Sequence, residues 1–245
     1  MRDEYAGYGE WKQWQHFGVL SSVDARYFRR ELAGLLPLKG KRILEVGFGN
    51  GAFLSFARGQ GAEVHGTEII PGLISAARKA GFDAGTGKAY LGVKKHAGRF
   101  DAVLAFDVIE HMDKQELVGF FKAVHALLRP GGVFLVRFPN GDSPFGRHYQ
   151  YGDITHKTVI GGRLIEHLAA LCGYTVREVR NPRTQFLDNP LLRAVQVLQR
   201  GLRNLVEMGV GYTYFNRRLP LDLNLVAQLV KRPAPLRSSV RASRR

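Results

Sequence analysis

Glycine and carboxylate residues form the most informative chemical pattern in the chain. Gly47, Gly49 and Gly51 alternate after a short apolar run, Glu45 precedes Gly47 by two residues, and Glu68 follows it by 21. Glycine permits positive φ angles and lets a ligand approach the backbone, and the N-terminus of a following helix favours an anionic group. A carboxylate at the spacing of Glu68 can accept both hydroxyl groups of a ribose. The pattern therefore predicts a site for a nucleotide-like small molecule that carries an anionic group.

Histidines supply a second kind of chemistry. His111 follows a predicted strand, His156 ends the segment Gly-Asp-Ile-Thr-His, and His148 lies in the loop between them. An imidazole titrates near neutral pH and can take a proton from a hydroxyl group. A lone histidine is more often a structural group, but His156 lies in a polar loop with Asp153 three residues before it as a candidate orienting group. His156 is therefore the leading candidate for a general base.

An alternation of strands and helices must position these residues. Short apolar runs with β-branched residues predict strands at about 43–46, 62–68, 81–84, 100–106, 133–138, 175–179 and 223–230. Helical periodicity and capping residues predict helices at about 24–36, 71–80 and 114–128, with another after the glycines. Polar groups that leave the carboxyl ends of buried parallel strands face the ligand crevice of an open α/β sheet. The glycines, Glu68 and His111 are all expected at that edge.

Motifs along this framework resemble those of a known enzyme class. Residues 45–51, read as E-x-G-x-G-x-G, resemble motif I of class I S-adenosylmethionine (SAM)-dependent methyltransferases. The segments FDAVLAFDVIEHM at 100–112 and LLRPGGVFLV at 127–136 resemble the same class, so the likeness covers about residues 41–140. Gly47, Gly49 and Ala52 also satisfy the dinucleotide fingerprint formally, but Glu45 stands where that fold prefers an apolar residue.

The resemblance implies a fold and a cofactor. The expected fold is an α/β, Rossmann-like sheet of seven strands, mostly parallel with an antiparallel last strand, with helices on both faces. The expected cofactor is S-adenosyl-L-methionine, with an adenine-contacting loop around 85–88. The residues expected to bind it are Glu45, Gly47, Phe48, Gly49, Asn50, Gly51, Glu68, Ile69, Phe106 and Asp107.

The same likeness suggests a function. The segment Y-G-D-I-T-H at 151–156, followed by a helix and Cys-Gly-Tyr, is similar to bacterial methyltransferases associated with surface-polysaccharide and O-antigen assembly. We therefore expect O-methylation of a sugar or glycan intermediate, with His156 as base and His111 and Asp107 next. A quinone or phenol acceptor is the alternative, and a non-catalytic SAM-binding or nucleic-acid-associated module is the alternative of another class. The presence of both Glu45 and Glu68 argues against an inactive pocket.

A metal site needs separate consideration. Asp107, Glu110, His111 and the distant His156 offer carboxylate and imidazole ligands, and some related methyltransferases bind Mg²⁺ through an E-x-x-E-H pattern. Here the first position is Asp107 and not glutamate. No metal is predicted from the sequence.

The charge of the chain indicates which partners to expect. The net charge is +15, and six of the basic residues fall between Lys231 and Arg245. The basic body favours an anionic substrate or an anionic membrane surface, whereas no basic stripe interleaved with aromatics supports nucleic-acid binding. The single cysteine, Cys172, and the absence of a long apolar run or signal sequence predict a cytoplasmic location, with the inner face of the membrane as an option.

Three regions are expected. Residues 1–37 form an N-terminal helical cap whose aromatics include Tyr5, Trp14 and Phe17, and the cap either covers the pocket or packs on the sheet edge. Residues 38–232 form the methyltransferase domain, with a helical insertion at about 183–220, and residues 233–245 form a disordered basic tail. The insertion carries an apolar face and several arginines, so it can lie on a membrane, pack a homodimer or cover its own substrate pocket.

Overall fold

The computed structural model describes residues 7–12, 14 and 16–233 of the 245-residue chain. Tyr5 of the aromatic N-terminal stretch lies outside the described residues. The same holds for residues 234–245, which make up nearly all of the predicted disordered tail.

Seven strands form a single sheet in the order β3-β2-β1-β4-β5-β7-β6. β1 pairs in parallel with β2 and β4, and β7 runs antiparallel to both of its neighbours. The predicted fold is confirmed, including the antiparallel last strand. The strands are β1 Arg42–Val46, β2 Glu63–Thr67, β3 Asp83–Gly85, β4 Phe100–Phe106, β5 Leu128–Pro139, β6 Tyr174–Arg180 and β7 Asn224–Lys231.

Helices cover both faces of the sheet because successive side chains of each strand point to opposite sides. Leu44 packs in a cluster with α5 and α7, whereas its neighbour Ile43 packs with α2 and α3. Cys172 is buried in the first cluster. The helices are α1 Tyr8–Trp11, α2 Ser22–Glu31, α3 Ala52–Gly59, α4 Pro71–Lys79, α5 Lys114–Leu127, α6 Arg147–Gly152, α7 Gly162–Leu171 and α8 Pro190–Phe215.

Two elements differ from their predicted limits. α2 ends at Glu31 and not near Pro37, because Gly34 disfavours a further helical turn. β5 begins at Leu128, five residues earlier than expected. The β4–β5 register shifts between Phe100 and Ala102, so the Arg-Pro-Gly-Gly segment forms an irregularity within the strand and not a turn before it.

No helix in the described part of the chain is both long and apolar enough to cross a membrane. α8 is the longest, at 26 residues, but one of its sides is polar.

Candidate active site

The loop between β1 and α3 has a backbone that requires glycine. Gly47, Gly49 and Gly51 adopt φ angles of +70°, +52° and +75°. A Cβ atom on Gly47 would also lie 2.5 Å from Cγ2 of Val108, in the segment that follows β4. The conformation and the close approach together explain why the chain has glycine at position 47.

Glu68 lies beside this loop at the end of β2. Its Oε2 accepts a hydrogen bond from the N–H of Gly49 at 3.0 Å, and its Oε1 accepts one from Ile69 at 2.6 Å. The pairing of Val46 with Thr67 sets this proximity, because it brings the ends of β1 and β2 to the same level. A carboxylate has about four acceptor positions, so these contacts leave acceptor capacity for a ligand.

Glu45 is a buried carboxylate with an unpaired oxygen. The residue is 4% exposed, and its Oε2 has no hydrogen-bond partner among the described residues. Burial, and secondarily the charge of Glu68, raise the pKa of Glu45 well above its usual range. A cationic group bound next to Glu45 would offset the cost of burying its charge.

Aromatic residues of the N-terminal segment lie directly on the glycine loop. A Cβ atom on Gly49 would come within 2.9 Å of the Trp14 ring, and one on Gly51 within 2.3 Å of the Phe17 ring. Phe17 also contacts Phe48 and Phe82 edge-on, each at 6.0 Å between ring centroids. Trp14 and Phe17 of the predicted cap therefore lie on the glycine loop, whereas α2 of the same segment packs against α3 and the sheet.

The other predicted cofactor residues surround the same loop. Asn50 accepts a hydrogen bond from the N–H of Ala52, and Ile69 is largely exposed just beyond Glu68. Phe48 is buried against α4, whereas Phe106 stacks on Phe28 of α2.

Asp107 is held by an arginine that the sequence analysis missed. Arg137 of β5 binds the Asp107 carboxylate with two nitrogens and donates to the hydroxyl of Tyr27 at 2.9 Å. The Asp107 backbone has a φ of +56°, which is uncommon for a residue other than glycine. The ion pair makes Asp107 a poor candidate for a free base. A sequence signal for Arg137 exists, because it is the one charged residue in the apolar run 133–138.

His111 and His156 form a pair at this edge of the sheet. Their ring centroids lie 4.7 Å apart. The Nδ1 atom of His156 lies 3.2 Å from the backbone oxygen of Gln150, and a carbonyl can only accept, so Nδ1 carries the proton. In the neutral ring, Nε2 then has a free lone pair. His148, the third candidate, is exposed on α6 and does not line the cavity.

Two carboxylates face Nε2 of His156. Asp153 Oδ2 lies 3.7 Å away and Glu110 Oε1 3.9 Å away. Burial raises the pKa of Asp153, but hydrogen bonds from the side chain and backbone of Thr155 outweigh it, so the net shift is downward. The sequence predicts Asp153 as the group that orients the His156 ring. In the structure the Gln150 carbonyl has that role at Nδ1, and Asp153 lies near Nε2.

His111 holds the Asp-Ile-Thr-His loop in place. Its Nδ1 contacts the backbone oxygen of Thr155 at 3.2 Å and the Thr155 hydroxyl at 2.9 Å. Burial, and secondarily the proximity of His156, lower the pKa of His111, which keeps the ring neutral at physiological pH.

Glu110, His111 and His156 could also hold a cation. One ligand atom from each lies within 4.8 Å of the others. Both carboxylate oxygens of Glu110 are buried without a hydrogen-bond partner among the described residues, and burial raises its pKa well above the usual range. One carboxylate and two imidazoles suit zinc or a similar transition metal better than magnesium. Asp107 does not join this set because Arg137 binds it.

A cavity of about 760 Å³ opens over these residues. One wall contains Asp107, Glu110, His111, Arg137 and His156, and the opposite wall belongs to the segment before α8 and to α8 itself. α8 lines the cavity with its polar side, as the third of the roles predicted for the insertion requires. The polar residues of that wall are Arg183, Thr184, Gln185, Gln196, Arg200, Arg203, Asn204 and Glu207.

Comparison with known proteins identifies the class to which this fold and site belong. Similar solved structures include a SAM-dependent methyltransferase from Archaeoglobus fulgidus, with a TM-score of 0.60, 18% identity and coverage of 84% of this chain and 94% of that one. One from Mesorhizobium loti has a TM-score of 0.60, 17% identity and coverage of 86% and 100%. At this identity the likeness shows the fold, which is that of a class I SAM-dependent methyltransferase.

A family model described as a methyltransferase domain matches residues 21–179. The chain belongs to this family, so it has a SAM-dependent methyltransferase domain and its cofactor is SAM.

Curated relatives include proteins named ubiquinone biosynthesis O-methyltransferase. The one from Azorhizobium caulinodans is 34% identical over 124 residues, which is 49% of this chain and 48% of that protein. The one from Cereibacter sphaeroides strain KD131 is 32% identical over 116 residues, or 45% and 46%. The chain thus spans about half the length of the curated relatives it matches.

The residues around the glycine loop fit SAM. The unpaired buried oxygen of Glu45 suits the ammonium group of the methionine part, and Glu68 has acceptor capacity for ribose hydroxyls. The sequence-predicted cofactor residues are therefore brought together around one loop.

We expect Glu68→Ala to weaken binding of S-adenosylhomocysteine by about 1–3 kcal/mol, because the ribose loses a charged acceptor. Isothermal titration calorimetry measures this directly. Glu63→Ala is the matched control, since Glu63 lies on the same strand but pairs with Arg42 at the surface. Equal affinities for the two variants would contradict the role of Glu68.

We expect Trp14→Ala to speed release of S-adenosylhomocysteine about tenfold, because removal of the half-buried ring that lies on Gly49 costs on the order of 1–2 kcal/mol. Stopped-flow displacement measures the rate. Trp11→Ala is the control, since Trp11 is 56% exposed and should leave the rate unchanged. An unchanged rate in Trp14→Ala would show that the segment does not act as a cover.

Proposed function

We propose that this protein transfers the methyl group of SAM to a hydroxyl oxygen of a small-molecule acceptor, with His156 as the general base. One observation carries the proposal. The Gln150 carbonyl fixes the proton on Nδ1, which leaves the Nε2 lone pair of His156 at the cavity wall beside two carboxylates.

The residues present account for the steps that an O-methyl transfer requires. SAM supplies a methyl group already activated on sulfur. With SAM bound, the methyl group would pass to the acceptor oxygen and S-adenosylhomocysteine would be the leaving group, while His156 Nε2 would take the proton of the acceptor hydroxyl. The resulting imidazolium is stabilised by Asp153, whose lowered pKa keeps it ionised near neutral pH. His111 positions this loop through Thr155.

The first candidate acceptor is a phenolic compound of the quinone-precursor type. This choice is supported by the names of the curated relatives, and it corresponds to the alternative raised by the sequence. The comparisons give no support to the polysaccharide acceptor that the sequence motifs suggest.

A glycan remains the second candidate because of the cavity wall. Arginine, glutamine, asparagine and threonine side chains dominate the side formed by α8 and the segment before it. Such a wall can hydrogen-bond many hydroxyl groups and offers little surface to an apolar ligand.

We expect His156→Ala to lower the turnover number by about 10²–10⁴-fold, the usual effect of losing a general base, with SAM affinity nearly unchanged. His148→Ala, on exposed α6, should retain full activity.

Two outcomes would contradict the base assignment. Near-normal turnover of His156→Ala would move the role to His111. Loss of wild-type activity on treatment with EDTA, restored by zinc, would show that Glu110, His111 and His156 hold a cation.

We expect a screen of hydroxylated aromatic compounds to yield a product that is one methyl group heavier by mass spectrometry. A parallel screen of nucleotide sugars and lipid-linked glycans tests the second candidate. Methylation in the glycan screen alone would exclude the phenolic acceptor, and methylation of a nitrogen atom would exclude O-methyl transfer.

A further inference from the structure

α8 carries an apolar face that no other described part of the chain covers. The residues that share this face lie within about a third of the helix circumference and are all exposed, Leu198 to 75% and Leu202 and Leu205 to 65% each. We call them the outer face of α8. They are Leu191, Leu192, Val195, Leu198, Leu202, Leu205 and Val206.

The opposite side of α8 explains why the helix takes this orientation. Glu207 is 1% exposed, accepts hydrogen bonds from Asn181 and the N–H of Leu221, and pairs with Arg218 at 2.8 Å. Arg200 and Asn204 lie on the same side and line the cavity. Because these polar contacts hold the inner side, the apolar side must face outward.

The charges of α8 indicate what covers the outer face. Glu207 is the one acidic residue of the helix, and it is buried, so α8 exposes no carboxylate. The chain as a whole is strongly basic, with a net charge of +15, so an anionic membrane surface attracts it.

The end of the helix adds a second feature of interfacial segments. Tyr212, Tyr214 and Phe215 are exposed in its last turn. Aromatic residues, tyrosine among them, favour the boundary between lipid and water, where their rings meet both environments. The helix is about 39 Å long at 1.5 Å per residue, and it has one polar side, so it suits a position in the plane of the bilayer.

We infer that the outer face of α8 docks on the surface of an anionic lipid bilayer. A second copy of the chain is a less favourable occupant, since each copy carries a net charge of +15 and the two would repel each other. With the outer face docked, α8 would lie between the bilayer and the cavity. The inference rests on α8 alone and does not depend on the identity of the acceptor.

The test is co-sedimentation of the full-length protein with vesicles. We expect the protein to bind vesicles of equimolar phosphatidylglycerol and phosphatidylcholine, and to bind much less to phosphatidylcholine alone. The double variant Leu198→Glu/Leu202→Glu should lower the partition coefficient at least about tenfold, because it places two charges at the apolar boundary.

The double variant Val19→Glu/Leu171→Glu is the matched control. Val19 and Leu171 are exposed, to 59% and 55%, and lie outside α8. The control therefore adds the same two negative charges at a different place on the surface. It should retain nearly all of the vesicle binding. An unchanged circular dichroism spectrum and an unchanged midpoint of thermal unfolding would show that both variants are folded.

Three results would overturn the inference. The first is an equal loss of binding in both variants, which would reflect net charge alone. The second is the absence of binding to anionic vesicles by the folded wild type. The third is a dimer in light scattering that Leu198→Glu/Leu202→Glu converts to a monomer, which would make a second copy the occupant.

Discussion

Parallel pairing of β1 with β2 and β4 is the constraint on which the site depends. The register places Val46 opposite both Thr67 and Ala105, so the three strands end at one level. The residues that follow these ends are the glycine loop, Glu68 and Asp107, and they become neighbours although they lie far apart in sequence. A slip of one residue would turn each side chain to the other face of the sheet and disrupt both apolar clusters, so the core fixes the position of the polar site.

Unpaired buried carboxylates distinguish this site from an ordinary structural network. Glu45 and Glu110 each have a buried oxygen without a partner among the described residues, whereas Asp107 is fully paired with Arg137. Removing a carboxylate from water without a partner costs several kcal/mol, and such groups concentrate where a protein binds a ligand or transfers a proton. The two acids therefore mark the two halves of the site, with Glu45 beside the cofactor loop and Glu110 beside the histidine pair.

The two sides of α8 differ in polarity, and the apolar side is the one that faces outward. Its inner side holds Glu207 and the cavity arginines, and its outer face leaves large leucines in water. Removal of apolar surface from water contributes about 25 cal/mol per Å², so a partner that covers these leucines would stabilise the protein. One helix thus forms both a wall of the acceptor cavity and a candidate contact surface for lipid.

The sequence by itself determined the sheet, the cofactor loop and the family. Gly47 to Gly51, Glu45 and Glu68 form a local pattern whose chemistry is independent of distant contacts. Apolar periodicity predicted the limits of the strands within two residues, except for the start of β5. Only the tertiary structure brought His156 next to His111 and Glu110, paired Asp107 with Arg137, and chose the cavity side of the N-terminal segment and of α8. These contacts join residues that are tens of positions apart, and periodicity shows that a helix has two faces without showing which one turns inward.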